Sequence, residues 1–145
     1  MSSVVTIVSM SPASPSLAVV LATGEIERFY SGLSVLVSSA AEGRPCTALA
    51  VFRSLELLLD RDLLRRGLDP SGAPSLSWEG RETFARTLGE LRETAFELEA
   101  LSLYACSASV DTMGLSADEV EERLDGVIST PRFLREATEA RLLYI

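Results

Sequence analysis

The chain has 145 residues, of which 47% are hydrophobic, and this suits a single domain with a substantial core. It carries 21 acidic and 13 basic residues, a net charge of −8. A nucleic-acid-binding surface is not expected, because phosphate binding needs clustered positive charge. The sequence contains neither lysine nor histidine, which excludes imidazole bases, imidazole metal ligands and Schiff-base lysines within the chain.

The sequence also argues against a membrane or secreted location. No apolar run approaches the roughly 20 residues that a membrane-spanning helix needs. The first basic residue is Arg28, and Pro12 and Pro15 interrupt the apolar amino-terminal stretch, so a secretory signal is not expected. Two cysteines, Cys46 and Cys106, are too few for a disulfide framework or a four-ligand zinc site. We expect a cytoplasmic protein with no membrane partner, no metal and no organic cofactor.

The amino-terminal residues 1–16 are set apart by their composition. They divide into the β-prone run Val4–Val8 and a linker rich in serine and proline. We expect this segment to be a tail or an extra strand. A single α/β domain is predicted over residues 17–145.

The first half of that domain begins with a strand, a helix and a second strand. Leu17–Ala22 is a continuous apolar run, which is typical of a strand buried on both faces of a parallel sheet. Thr23-Gly24-Glu25 turns the chain into an amphipathic helix that ends near Ala41. Cys46–Phe52 is the predicted second strand, with Cys46 at its amino end.

Two more helices and a long loop are predicted in the middle of the chain. A leucine-rich helix is expected over Ser54–Arg66, with Ser54 as its N-cap. Gly67–Gly80 contains two prolines and three glycines, which predicts a loop. Arg81–Ala100 has the pattern of an amphipathic helix, and its charged residues, Arg92 among them, are expected to face outward.

The stretch Leu101–Leu115 is the most informative part of the sequence. Alternating apolar residues predict a strand that stops at Cys106, and the small polar run Ser107–Ser109 indicates that the backbone turns just after the thiol. Ligands bind at the carboxyl ends of strands in open α/β sheets, and free backbone N–H groups there favour a thiolate. The alternative is an unreactive buried cysteine.

The remaining elements complete the fold prediction. Ser116, with Glu119 three residues later, predicts a capping box at the start of an acidic helix. A short strand over Val127–Ser129, a helix over Pro131–Ala140 and a last strand over Leu142–Ile145 follow. The alternation of strands and helices predicts a three-layer α/β/α fold with a mostly parallel five-stranded sheet.

The residues around Cys106 resemble the DsrE/DsrF-like (DsrEFH) family of small α/β sulfur-relay proteins. The resemblance rests on short segments, of which those around the cysteine are distinctive: Tyr104–Ser109, Met113–Leu115, Asp125–Val127, Leu17–Gly24 and Thr47–Arg53. It covers most of the chain but not residues 1–16. It implies the DsrEFH-like fold, a homo-oligomer, and acceptance of sulfane sulfur as a persulfide on Cys106 for transfer to a partner protein.

A sulfur carrier of this kind needs a stabilised thiolate and a protected pocket. Besides Cys106, the candidate residues near the carboxyl ends of the strands are Thr23, Gly24, Phe52, Arg53, Ser107, Ser109 and Met113. Backbone N–H groups, the two serine hydroxyls and the Arg53 guanidinium are expected to stabilise an anionic sulfur. Phe52 and Met113 are expected to form an apolar wall, and the turn after the first strand is a weak candidate for anion binding.

Three functions remain open at this point. The favoured one is a sulfur-relay protein whose partners are a sulfur donor and a sulfur acceptor protein. The others are a non-catalytic oligomeric assembly subunit, in which Cys106 is inert, and a small-ligand or nucleotide-binding module of the same fold. The usual nucleotide-binding signatures, GxGxxG after the first strand and a P-loop, are absent from the sequence. Cys46 is predicted to be structural, because it lies at the opposite end of the sheet from Cys106.

Overall fold

The computed structural model describes residues 15–63 and 78–145, with the backbone alone described for residues 78–87. The predicted tail or extra strand within residues 1–14 lies outside the described residues. So do residues 64–77, which include the end of the predicted leucine-rich helix and most of the predicted loop.

Five strands and six helices alternate along the described residues. The strands are β1 (Leu17–Leu21), β2 (Cys46–Ala50), β3 (Leu101–Cys106), β4 (Gly126–Ile128) and β5 (Arg141–Tyr144). The helices are α1 (Ile26–Ala41), α2 (Phe52–Leu59), α3 (Trp78–Glu97), α4 (Ser107–Met113), α5 (Ala117–Arg123) and α6 (Thr130–Glu136). All five strands are parallel, in the order β4-β3-β2-β1-β5. The predicted three-layer α/β/α fold is therefore confirmed, and the sheet is entirely parallel.

The strand order determines the face of the sheet on which each helix lies. From β1 to β4 every connection steps in the same direction across the sheet, so right-handed crossovers place α1–α5 on one face. The chain then returns from β4 to β5 in the opposite direction, which places α6 on the other face. Two separate hydrophobic clusters, one on each side of the sheet, agree with this arrangement.

The two clusters differ in size. The larger one joins the sheet to α1–α5 through side chains such as Phe29, Leu58 and Val110. The smaller one lies between the sheet and α6 and consists of Ala18, Leu49, Cys106, Ile128, Phe133 and Ala137. Strand residues alternate between the two faces. Ala105 therefore belongs to the larger cluster, whereas the side chain of Cys106 points toward α6.

The leucine-rich helix differs from its prediction at both ends. Val51, not Ser54, is the N-cap of α2, and the buried Ser54 hydroxyl instead donates to the carbonyl oxygen of Thr23 at 2.6 Å. The helix ends at Leu59, and the guanidinium of Arg92 donates to carbonyl oxygens at its carboxyl end: Leu57 at 3.0 Å and Asp60 at 2.5 Å. These two hydrogen bonds explain why Arg92 is only 1% exposed, against the prediction that it faces solvent.

Other boundaries differ by a few residues. Helix α3 begins at Trp78, inside the predicted loop, and ends at Glu97, while α6 ends at Glu136. The predicted N-cap of α5 is confirmed, because the Ser116 hydroxyl accepts from the backbone N–H of Glu119 at 3.4 Å. These differences leave the carboxyl end of β3 unchanged.

Candidate functional site

Cys106 lies at the topological switch point of the sheet. The chain leaves β3 toward α4 on one face and leaves the neighbouring strand β4 toward α6 on the other. Such points open a crevice at the carboxyl ends of two adjacent strands, where ligands bind in open α/β sheets. Cys106 pairs with Ile128 in the sheet, so the thiol lies beside the first residues of the β4–α6 connection.

The backbone gives Cys106 a second feature, because it is the N-cap of α4 with φ −71° and ψ 125°. The side chain of an N-cap residue faces the free N–H groups of the second and third helical residues. In α4 these residues are Ala108 and Ser109. The Cys106 side chain makes no capping hydrogen bond to either N–H group, but a thiolate at this position lies at the end of the helix where these donors are found.

A hydroxyl group approaches the same sulfur from α6. Thr130 Oγ1 lies 3.7 Å from Cys106 Sγ. Thr130 is the first residue of α6, and the start of that helix is fixed by Ser129, whose hydroxyl accepts from the backbone N–H of Arg132 at 3.2 Å. The first residues of the two helices that diverge from the switch point thus both lie beside Cys106.

Hydrogen bonding outweighs burial at this thiol. Burial raises the pKa of Cys106, but the backbone N–H of Ser109, the hydroxyl of Thr130, the hydroxyl of Ser109 and the backbone N–H of Ala108 together hold its pKa below the ordinary value. Arg53 is not among these groups. Of the groups predicted to stabilise an anionic sulfur, backbone amides and the Ser109 hydroxyl are among those that lower this pKa, whereas the Ser107 hydroxyl and the Arg53 guanidinium are not.

The surroundings of the sulfur are otherwise apolar and closed. Cys106 is 5% exposed and packs with Leu49, Ile128 and Phe133. The predicted wall of Phe52 and Met113 needs correction. Met113 packs against the larger cluster, because α4 lies on the face of the sheet away from the Cys106 side chain, and Phe52 belongs to neither cluster.

Phe52 instead lies in the tight turn by which the chain passes from β2 into α2, and it is the first residue of that helix. Its φ of 45° lies in the left-handed region, and its side chain is 49% exposed. Its backbone N–H donates to the hydroxyl oxygen of Ser109 at 3.1 Å. Ser109 therefore connects this turn to the N-cap of α4.

The candidate residues Thr23, Gly24 and Arg53 form a different surface. Gly24 lies under the Arg53 side chain, since a Cβ at position 24 would lie 2.7 Å from the Arg53 Cβ. The two residues line a cavity of about 350 Å³ together with residues of α2, among them Glu56 and Asp60. The Thr23 hydroxyl accepts from the backbone N–H of Glu25 at 3.0 Å. Because α2 packs on the α1–α5 face, this cavity and the Cys106 side chain lie on opposite sides of the sheet.

The remaining candidates have simpler positions. Ser107 is the half-buried first residue of α4. Cys46 is buried at the amino end of β2, where its thiol donates to the carbonyl oxygen of Arg44 at 3.2 Å. Its partner in the next strand is Leu101, the first residue of β3, so Cys46 and Cys106 lie at opposite ends of the sheet and both are free. The prediction that the two cysteines lie at opposite ends of the sheet is confirmed.

Thr130 is the residue of this site that sequence reasoning missed. The available signal was the Ser129-Thr130-Pro131 run directly after a short apolar strand, which marks a helix start at the carboxyl end of that strand. Only the strand order places this helix start beside β3. Pairing of strands with a separation of about 20 residues cannot be read from local composition.

The fold and the site together define an all-parallel, three-layer α/β protein with a hydrogen-bonded cysteine at the switch point of its sheet. No family model matches the chain, and no curated protein matches it. Among the residues that the structure describes, none of the helices has the length and apolar character needed to cross a membrane.

Proposed function

We propose that the protein is a sulfur-relay protein of the DsrE/DsrF-like type, in which Cys106 carries sulfane sulfur as a persulfide. The observation that carries the proposal is the position of Cys106, which is the N-cap of α4 at the switch point of the sheet, with the Thr130 hydroxyl 3.7 Å from its sulfur and a pKa below the ordinary value. The resemblance of Tyr104–Ser109 to the cysteine segment of that family supports the same role.

The chemistry is an exchange of sulfur between thiols. The Cys106 thiolate attacks the terminal sulfur of a donor persulfide, so that a new S–S bond forms on Cys106 as the donor S–S bond breaks and the donor leaves as a thiolate. The proton of the donor persulfide stays with the transferred sulfur or passes to solvent. A thiolate of the acceptor protein then attacks the same terminal sulfur and restores Cys106. No net oxidation or reduction occurs in either step.

The lowered pKa of Cys106 supports both halves of this cycle. It raises the fraction of nucleophilic thiolate near neutral pH, and it makes Cys106 a better leaving group when the acceptor attacks. The apolar neighbours Leu49, Ile128 and Phe133 exclude bulk water from the bound sulfur. Because Cys106 is 5% exposed, a donor has to reach the sulfur past the first turns of α4 and α6.

The proposal includes the partners and location that the resemblance implies: a sulfur donor protein, a sulfur acceptor protein, a homo-oligomeric state and the cytoplasm. One surface favours self-association. Leu134 on α6 is 44% exposed, and on the same side of the sheet Leu142 and Tyr144 of β5 are 49% and 77% exposed. Exposed apolar side chains grouped on one face are typical of an interaction surface.

Intact-mass measurement tests the proposal. The reduced protein is incubated with a low-molecular-weight persulfide donor, and the modified residue is located by peptide mapping. We expect a mass gain of one sulfur on Cys106 that is lost in Cys106→Ser and kept in the matched control Cys46→Ser. Absence of the adduct from folded, reduced protein would refute sulfur carriage and would leave the inert assembly subunit as the better account.

A further inference from the structure

The turn at Phe52 is the one strained part of the described backbone near Cys106. Among the described residues other than glycine, Phe52 alone has a positive φ, at 45°. An L residue in the left-handed region brings its Cβ close to the following carbonyl oxygen, and such a conformation persists only where its surroundings hold it. Phe52 lies two residues after Ala50, the last residue of β2, and Ala50 pairs with Ala105, the residue before Cys106.

One hydrogen bond from α4 holds this turn. The Phe52 backbone N–H donates to the hydroxyl oxygen of Ser109, a fully buried residue 57 positions later in the chain. A serine hydroxyl has a single proton and accepts through its lone pairs. Because the Phe52 N–H donates to a lone pair of the Ser109 oxygen, the proton of the Ser109 hydroxyl points away from Phe52.

Helix geometry determines which group that proton can reach. Ser109 is the third residue of α4, and Cys106 is the N-cap of the same helix. The side chain at the third position of a helix can fold back toward the N-cap residue, whose backbone N–H it reaches in a capping box. The Ser109 hydroxyl and the Ser109 backbone N–H both contribute to the lowered pKa of Cys106, in agreement with this geometry.

We infer that Phe52 is a positioning residue for Cys106: its left-handed turn aims a backbone N–H at Ser109, and this contact directs the Ser109 hydroxyl proton toward Cys106 Sγ. The Phe52 side chain touches no reacting atom and acts through its backbone. The inference rests on the proposed function, since a sulfur carrier uses the thiolate that this arrangement stabilises. The strained backbone at Phe52 is then explained by its role in orienting the Ser109 hydroxyl.

Thiolate absorbance in the ultraviolet, followed against pH in a Cys46→Ser background, tests this arrangement without requiring access to the sulfur. Ser109→Ala removes the hydroxyl and is expected to raise the titration midpoint of Cys106 by about one pH unit, the size of one charge-assisted hydrogen bond. The matched control is Ser54→Ala, which removes an equally buried serine hydroxyl that donates to Thr23 and does not contact Cys106.

Two substitutions at Phe52 separate positioning from a purely structural role. Phe52→Gly adopts the left-handed turn without strain and retains the N–H, so it is expected to keep the midpoint of the parent protein. Phe52→Val, whose β-branched side chain is poorly tolerated at positive φ, is expected to break the contact with Ser109 and raise the midpoint. This pair decides the question even if Ser109→Ala does not fold.

The inference is overturned if the Cys106 titration midpoint is the same in Phe52→Val and Phe52→Gly. It is also overturned if the midpoint in Ser109→Ala equals the midpoint in Ser54→Ala. The outcome is separate from that of the proposed function. If the midpoints shift as expected but the parent protein gains no sulfur, the positioning holds and sulfur carriage fails. If the midpoints do not shift but Cys106 still gains sulfur, only the positioning fails.

Discussion

Strain at Phe52 predicts an unusual order of stability for two small substitutions. Phe52→Gly and Phe52→Ala both lose the same phenyl ring, which is 49% exposed, so their difference isolates the backbone at φ 45°. Left-handed backbone costs an alanine about 1–2 kcal/mol that a glycine does not lose. The greater freedom of glycine in the unfolded chain offsets about 0.5–1 kcal/mol of this. Phe52→Gly is therefore expected to be more stable than Phe52→Ala by about 0.5–1 kcal/mol.

Urea denaturation followed by circular dichroism measures this difference directly. Glu56, an exposed residue inside α2, provides the control site. There the ordinary helical backbone predicts the reverse order, with Glu56→Ala more stable than Glu56→Gly by about 1 kcal/mol. If alanine is as stable as glycine at position 52, or more stable, the turn at Phe52 is not strained in solution and the reasoning fails.

Three further predictions follow from other parts of the structure. Thr130→Val removes a hydroxyl that lies 3.7 Å from Cys106 Sγ and keeps the side-chain volume nearly constant. The titration midpoint of the Cys106 thiolate should therefore rise. An unchanged midpoint would show that Thr130 does not donate to the sulfur. Because the folded pKa of Cys106 lies below its ordinary value, its ionisation stabilises the fold above the ordinary pKa, and this stabilisation is lost as pH falls through the lowered value. The difference in unfolding free energy between the wild type and Cys106→Ser should therefore grow as pH rises through that window, and a difference independent of pH would contradict the lowered pKa. Arg92→Met should cost about 3–5 kcal/mol, because it removes the buried guanidinium that donates to the carbonyl oxygens of Leu57 and Asp60. Arg132→Met, at a pair whose arginine is 61% exposed, should change stability far less, and equal effects in urea denaturation would argue against the buried network.

The fold was predictable because each strand carries its own signal. Leu17–Leu21 and Cys46–Ala50 are short apolar runs, and every residue of the second is buried, as in a sheet covered on both faces. The capping motif at Ser116 predicted the start of α5 correctly. Helix ends were less predictable, because tertiary contacts determine them. Helix α2 ends at Leu59, where Arg92, more than 30 residues later in the chain, donates to the carbonyl oxygens of Leu57 and Asp60.

The site was predictable only in part, for a related reason. Local composition indicated that the chain turns after Cys106 and that Ser109 lies near the thiol. Which side of the sheet the Cys106 side chain faces depends on its position along β3. It faces α6, so it is separated from Met113 and Arg53, which lie on the other side of the sheet. The contribution of Thr130 depends on the pairing of β3 with β4, which no local pattern encodes.

Sulfur uptake by folded protein at neutral pH tests the central claim most directly. A low-molecular-weight persulfide donor is added to the reduced protein in its native state and to the same protein unfolded in urea, and the sulfur on each cysteine is measured by peptide mapping. If the donors around Cys106 stabilise a working thiolate, the native protein gains one sulfur on Cys106, faster than the unfolded chain gains it there, while the buried Cys46 reacts only on unfolding. Uptake on Cys106 only after unfolding would contradict the account, because it would show that the fold protects an inert thiol.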